Sequence, residues 1–335
     1  MIYSNNAINI LTILTYKGIG RAWVVNNVKG NESLEVLVLL LNEKSKQNDI
    51  VTIDDFEIEK DNIKSQLNNL KESCDGLIAI GDKNFPQCRG NVKPSEQPIF
   101  LFYKGDIDLL SADNYNIAVI GLLNPDEQIE MRERKLVDQI VKNNITVVSG
   151  LAMGCDSIAH QQAINGGKTI AILPSPLNDI LPAKNKGLAY EIVEEGGLLI
   201  TEYYNQFKSS MELSSRYKER DRLQALFSDT IILAASYAQD SATRWNIHNQ
   251  KLDSGARLAM EYAKNYNIPR AVMYNKDIDA DNPMFDLNRQ LIAEQKDIIL
   301  LTPQSLEKLM NTIQEKKQMP KHGKKQDGND GLFDF

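Results

Sequence analysis

Cysteine and histidine are scarce in this 335-residue chain, at three residues each. Cys74, Cys88 and Cys155 are scattered without metal-ligand spacing, and so few histidines leave little to hold zinc, so the expectation is no metal and no other cofactor. Long apolar runs are also missing: none approaches the ~20 residues that cross a bilayer. The opening Met1-Ile-Tyr-Ser-Asn-Asn6 lacks the basic start and apolar run of a secretion signal. The chain therefore reads as cytoplasmic, with no membrane partner. Positive charge is short as well, 38 Lys and Arg against 45 Asp and Glu for a net −7. That argues against a generic nucleic-acid binder, whose sequence-independent affinity comes from neutralising phosphates. What remains open is a local basic groove, with candidates at Lys184 and Lys186, across Arg216 to Arg222, and at Arg244, Lys251 and Arg257.

Several catalytic fingerprints are absent. Gly150-Leu-Ala-Met-Gly154 is not GxGxxG, and no acidic residue ends a following strand where a ribose contact would need one, which disfavours a nicotinamide dehydrogenase. There is no Walker lysine, no nucleophile elbow and no Ser/His/Asp set at plausible strand ends, so hydrolysis lacks a visible nucleophile. The reading is a binding protein rather than an enzyme.

What is present is an α/β pattern. The first eighty or so residues are helical in periodicity (Ile8, Leu11, Leu14; Trp23, Val24; Leu34 to Leu41), with a tight turn Lys17-Gly-Ile-Gly-Arg21 between the first two helices. Such a turn suits backbone amides that meet a phosphate, and it also occurs with no ligand at all. Leu77 to Ile80 and Pro98 to Tyr103 read as strands. From Asn116 strands and helices alternate: Ile117 to Ile120, a helix over Glu127 to Lys142, a strand from Ile145, a helix to about Ile164, then strands at Thr169 to Leu173, Leu198 to Thr201, Thr230 to Ala234 and Arg270 to Tyr274. Further helices are expected at Lys186 to Glu194, Arg220 to Leu226 and Arg257 to Asn265. This is a doubly wound, mostly parallel sheet preceded by a small helical domain. Ligands of such sheets bind beyond the carboxyl ends of the strands, where Gly121, Gly150, Pro174 and Glu202 fall.

The most informative segment is Ile145-Thr-Val-Val-Ser-Gly-Leu-Ala-Met-Gly-Cys-Asp-Ser-Ile-Ala-His160, which runs from a β-branched strand through a glycine turn into a helix start. Gly150 and Gly154 allow positive φ and close backbone approach, and the helix start points free amides at the same spot. Asp156 suits a capping role or a ligand contact, with His160 one turn along the same face. A plain strand-to-helix turn has the same spacing. Cys155 reads as a small buried residue, with a reactive thiol as the alternative.

Ser149 to His160 resembles the SGLAxGIDxxAH signature of the DNA-processing protein A (DprA, or Smf) family. The resemblance continues in order through Gly166-Gly-Lys-Thr-Ile-Ala-Ile172, Pro182-Ala-Lys-Asn185, Gly196-Gly-Leu-Leu-Ile-Thr-Glu202, Arg220-Asp-Arg222 with Ser228-Asp229, Ser254-Gly255 and Asn282-Pro-Met-Phe-Asp-Leu-Asn-Arg289. Upstream, Phe85-Pro86, Pro98 to Asp106 and Ile117 to Gly121 resemble the entry to that family's extended Rossmann domain, and Gly18-Ile-Gly20 its N-terminal module. The resemblance implies a helix-hairpin-helix, SAM-like module over 1–82 and an extended Rossmann domain over 83–312, and the composition after about Glu315 reads as a disordered tail, taken as 313–335. It also implies a homodimer that binds single-stranded DNA without catalysis and helps load a RecA-type recombinase during transformation or recombination. Carried over by position, the DNA or phosphate contacts are Gly121, Gly150, Gly154, Lys184, Asn185, Arg220, Arg222, Ser254 and Gly255, with Asp156, His160 and Glu202 organising the turn.

The chain departs from the family pattern at the pocket. Gly121-Leu-Leu123 stands where G-S-R is usual, Arg220-Asp-Arg222 where R-N-R is, and Pro174-Ser-Pro176 where a glycine-rich turn is. Ala235 replaces a glutamate, and Tyr237 to Leu252 looks inserted. A modified pocket also suits a sensor of nucleotide-derived signals in a defence system, or, with Asp156 or Glu202 against a ribose, a nucleotide phosphoribohydrolase. The end of the chain, with Gln326, Leu332, Phe333 and Phe335 among acids, resembles the peptides that dock in a sliding clamp and the acidic tip of single-strand-binding proteins, and equally a solubilising tail.

Overall fold

A computed structural model describes residues 1–44, 50–248, 252 and 255–318. The chain opens with β1 (Ile2–Tyr3) and four helices, α1 (Asn5–Ile13), α2 (Arg21–Asn27), α3 (Leu34–Lys44) and α4 (Ile53–Leu67). Local chemistry sets the helix starts. The Ser4 hydroxyl accepts the Ala7 amide at 2.9 Å, and Thr52 and Asp55 form a reciprocal capping box. Next come β2 (Gly76–Ala79), β3 (Phe100–Gly105) and β4 (Asn116–Ile120), then α5 (Glu127–Lys142), β5 (Thr146–Ser149), α6 (Cys155–Ala163), β6 (Thr169–Ile172), α7 (Lys186–Glu194) and β7 (Leu198–Thr201). The remainder is α8 (Ser210–Leu226), β8 (Thr230–Leu233), the short α9 (Ser241–Arg244), α10 (Ala256–Asn265), β9 (Arg270–Met273), α11 (Asp286–Glu294), β10 (Ile298–Leu301) and α12 (Pro303–Gln318).

All ten strands join one sheet in the order β1-β2-β3-β7-β6-β5-β4-β8-β9-β10, with β3 antiparallel to both its neighbours and every other pairing parallel. Strands β4 to β8 are buried along their whole length, as a sheet covered on both faces requires of runs such as Thr-Val-Val-Ser and Thr-Ile-Ile-Leu. One face is covered by α5, α6 and α12 through Val137, Ile140, Ala159 and Met310. The other is covered by α8, α10 and α11 through Leu223, Ala259 and Leu287. Strand order reverses at β4, which lies between β5 and β8, so the carboxyl ends of β4 to β7 stand side by side at the crevice expected of a doubly wound sheet.

The first 82 residues are more than a helical cap. They contribute β1 and β2 to the sheet, and Leu11, Phe56 and Leu77 share one core with Phe102, Leu173, Leu188 and Leu199. Helix α8 begins ten residues before Arg220, because the Ser209 hydroxyl accepts the Glu212 amide at 3.1 Å and starts it there. Strand β10 extends the sheet beyond the strands read from sequence, and α11 and α12 add to the helices on its faces.

Fully buried Asn288 stitches the ends of β8 and β9. Its Nδ2 donates to Met273 O at 2.9 Å and Ala234 O at 3.1 Å, and its Oδ1 accepts from Ser236 N at 3.2 Å. Asn288→Ala leaves these groups without partners and is expected to cost about 3 kcal/mol. Urea denaturation should show the midpoint falling at constant slope.

Candidate functional site

The turn after β5 is shaped by missing side chains. A β-carbon on Gly154, at φ +73°, would lie 2.2 Å from Leu122 O, and one on Gly121 would lie 2.6 Å from Cys155 Sγ. Both glycines therefore let the loops after β4 and β5 pack together, and the first amide of α6, Cys155 N, donates to Leu122 O at 2.9 Å. Two of the turn's amides are satisfied from within: Asp156 Oδ2 accepts from Gly150 N at 3.1 Å and from Ala152 N at 3.2 Å. Asn185 holds the outer side, its Nδ2 donating to Leu151 O at 2.8 Å and Ala152 O at 3.0 Å. That clamp fixes the neighbouring Lys184, which is exposed, beside the turn. Lys186 is exposed as well, its Nζ 5.9 Å from the Tyr190 ring centre.

Arg220 reaches the same turn from α8, on the opposite face of the sheet. A β-carbon on Gly150 would lie 1.9 Å from its Nη1, so the bare glycine is what admits the guanidinium. Nη1 pairs with Asp221 at 2.9 Å and approaches Asp156 at 3.7 Å, and the guanidinium lies 5.5 Å from the Tyr217 ring centre. Arg220 is 6% exposed, and its Nε finds no acceptor among the described residues. Gly255, in a left-handed conformation at the start of α10, sits where a β-carbon would meet Asp221 Oδ2 at 2.8 Å.

Arg222 does not join this group. Two helical residues are about 200° apart around the axis, so Arg220 and Arg222 face opposite ways. Arg222, 1% exposed, donates to Glu202 Oε2 at 2.5 Å and to the Glu96 carbonyl. Glu202 also accepts from Arg21 at 3.1 Å, and Glu219 binds Arg21 at 2.8 Å. Arg222 and Glu202 thus form a junction that ties the start of α2 to the end of β7 and to α8. Ser254, Gln326, Leu332, Phe333 and Phe335 lie outside the described residues.

Burial dictates the protonation beneath the turn. His160 is fully buried, its Nδ1 2.7 Å from Thr169 Oγ1, and burial, aided by the Arg220 charge, pulls its pKa from 6.5 to about 3. The Thr169 hydroxyl already donates to Val147 O at 2.9 Å, which makes Nδ1 the protonated nitrogen. Burial also raises Asp156, against the opposing pull of Arg220 and the turn amides. Glu133 on α5 is fully buried beside Cys155, and burial drives both groups well above their usual ranges toward neutral forms. Cys155 is thus a buried, unreactive thiol.

Sequence reasoning missed Tyr217, Arg21 and Glu133. Tyr217 is one turn before Arg220 on α8, a spacing that shows once the helix is started at Ser209. Glu133 carries no sequence signal beyond falling on the apolar side of α5.

Two outcomes follow. Arg222→Ala strands Glu202 as a buried, less compensated charge and should cost about 3–5 kcal/mol in denaturant unfolding, whereas exposed Lys184→Ala should stay within about 0.5 kcal/mol. Unfolding also frees His160 to take up a proton at its ordinary pKa of 6.5, which the folded chain refuses until about 3. The stability that neutral His160 contributes is intact above pH 6.5 and is lost as the pH falls from there, by up to about 1.4 kcal/mol per pH unit. Glu133, held neutral in the fold, acts with the opposite sign over the same range, so the His160 contribution is read as a difference: denaturation midpoints of the chain and of His160→Gln at pH 7, 6 and 5 should diverge with that slope.

The motif order and the fold have counterparts. The family model of DNA recombination-mediator protein A matches residues 76–312. Protein Smf of Borreliella burgdorferi is 27% identical over 228 residues, 67% of this chain and 66% of that one. DNA processing protein DprA of Streptococcus pneumoniae is 38% identical over 109 residues, 32% of this chain and 37% of that one, so this chain aligns with less than two thirds of the length of either relative. Among solved structures, DprA of Streptococcus pneumoniae superposes with a TM-score of 0.65 at 22% identity, over 92% of this chain and 98% of that one. DNA processing protein A of Helicobacter pylori, described for its single-stranded DNA binding mode, gives 0.52 at 24% identity over 70% and 99%. These two likenesses are of fold. The family match, by contrast, runs from β2 to within α12 and takes in the Gly150 turn, Asn185, Arg220 and Asn288: the chain belongs to the DNA recombination-mediator protein A family.

Proposed function

We propose that this chain binds single-stranded DNA across the carboxyl ends of β4 to β7 and acts, as a homodimer, in loading a recombinase during recombination or DNA uptake. The observation that carries the reading is Arg220. Its buried guanidinium lies on bare Gly150 with Nε lacking an acceptor, beside exposed Lys184 and Lys186. A phosphate approaching from solvent meets a preset cationic donor at the turn and mobile ammonium groups at the rim, while Tyr217 and Tyr190 offer ring faces to bases. Membership of a recombination-mediator family and the single-stranded DNA binding described for the Helicobacter pylori protein support the same choice.

The way the carboxylates are used supports a reading of binding without catalysis. Asp156 is committed to two turn amides and Glu202 to two arginines, so neither is placed to attack a ribose. Asp221 tempers Arg220 at 2.9 Å, and the net −7 of the chain adds no long-range attraction. Affinity therefore rests on few phosphate contacts. Each contributes about 0.7 to the logarithmic salt slope for single strands.

Fluorescence anisotropy of a labelled oligonucleotide over a salt series tests this. Arg220→Ala should weaken binding by one to two orders of magnitude, as expected for a charge-assisted contact of about 1.5–3 kcal/mol. Lys184→Ala should lower the salt slope by about 0.7 with a smaller loss. Absence of binding by the intact chain at low salt would sink the proposal and leave a small nucleotide-derived ligand as the pocket's occupant.

A further inference from the structure

Away from the Gly150 turn, a groove of about 870 Å³ lies between α5, the carboxyl ends of β9 and β10, and α12. Leu136, Met273, Leu301 and Met310 give it an apolar lining, and the exposed Lys135 and Lys276 stand on its rim. The third basic residue, Arg132, is engaged in a two-pronged pair with Asp279 at 2.8 and 2.9 Å. Strand β10 ends the sheet order, so its outer edge has no strand partner among the described residues, and Leu300 there is 39% exposed. An exposed apolar sheet edge is a site that proteins usually cover. A volume in the ~300–1,000 Å³ range of small-ligand pockets suits a few side chains.

We propose that this groove is the docking site of the chain's own segment Gln326-Asp-Gly-Asn-Asp-Gly-Leu-Phe-Asp-Phe335, with Leu332, Phe333 and Phe335 on the apolar lining and the aspartates toward Lys135 and Lys276. The chemistry is complementary. The segment carries three large apolar residues and Asp327, Asp330 and Asp334 with no cation, opposite an apolar floor whose rim carries the ammonium groups of Lys135 and Lys276 against one exposed carboxylate, Glu307. The covalent connection is complementary too. Helix α12 lines the groove with Leu306 and Met310 and runs on to Gln318. From Met310 to Gln318 the helix advances about 12 Å. The fourteen residues from Gln318 to Leu332 can span up to about 46 Å when extended, with Gly323, Gly328 and Gly331 among them to allow reversal. A tether of this length presents the segment at an effective concentration near the millimolar range, so modest contacts hold it. Docking would cover the β10 edge and withhold Leu332 and Phe333 from any partner protein that recognises the same residues.

Hydrogen exchange on the full chain tests this, compared with a full-length Leu332→Ser/Phe333→Ser/Phe335→Ser variant. The expected result is about fivefold faster exchange in the variant over residues 298–310 and 132–139, as for a segment docked four-fifths of the time, with the rest unchanged. Lys135→Glu/Lys276→Glu should also speed exchange there, lowering Tm by no more than the serine variant does, and adding Asp330→Lys/Asp334→Lys should restore protection. Equal exchange in the intact chain and the serine variant overturns the proposal. Protection that vanishes on dilution overturns it too, by assigning the groove to the segment of a second copy.

Discussion

The site depends on a guanidinium resting on a backbone that has no side chain. Arg220 comes from α8 on one face of the sheet, and the Asp156 that it faces comes from α6 on the other, so the end of β5 is gripped from both sides. Any β-carbon at Gly150 would occupy the guanidinium's position. The remaining features adapt to this contact: Asp156 gathers the turn amides, Asn185 closes the outside of the turn, and Gly255 gives Asp221 room beside Arg220. His160 stays neutral beneath because a second positive charge, buried near Arg220 and without a counter-ion, would be costly.

The charge economy of the region bears on how an acidic chain would support the proposed phosphate site. Its buried arginines are all partnered by carboxylates: Arg216 by Glu212, Arg220 by Asp221, and Arg222 by Glu202. Such pairs hold geometry more than they attract distant anions. In the proposed site, attraction at the rim is left to exposed lysines, whose hydrated ammonium groups and loose side chains would suit a moving backbone of phosphates. The family's usual arginine after β4 is Leu123 here, and Asp221 stands between the two arginines, so this chain draws on fewer uncompensated cations than the pattern it resembles. The Arg21, Glu202, Glu219 and Arg222 cluster couples the module before β2 to α8, the helix that carries Arg220.

Much of the fold was legible in the residues. Runs such as Ile117-Ala-Val-Ile120 and Ile170-Ala-Ile172 are apolar throughout, which suits a strand covered on both faces, and the amphipathic stretch from Glu127 to Lys142 is α5 to the residue. The start of α8 was read late because Ser210 to Glu219 is polar, and its helicity comes from the Ser209 cap and from Arg216 bridging Glu212 and Asn205. That β1 and β2 belong to the main sheet was hidden because a two-residue strand has no period, and only pairing with β2 defines β1.

By itself the sequence determined the strand-turn-helix at Gly150, the alternation that makes the sheet parallel, and the family pattern, because each is written in neighbouring residues whose torsional and solvent preferences act locally. It also contained, unread, the divergence of Arg220 and Arg222, since helical geometry alone separates them. Tertiary structure decided what each charged group faces. Glu202 meets Arg21 from 181 positions earlier, Arg220 lies on a glycine 70 residues before it, and Glu133 is sealed beside Cys155. Those assignments depend on which helices cross the end of the sheet, and burial, which sets the energy of a charge, belongs to the assembled core rather than to any stretch of chain.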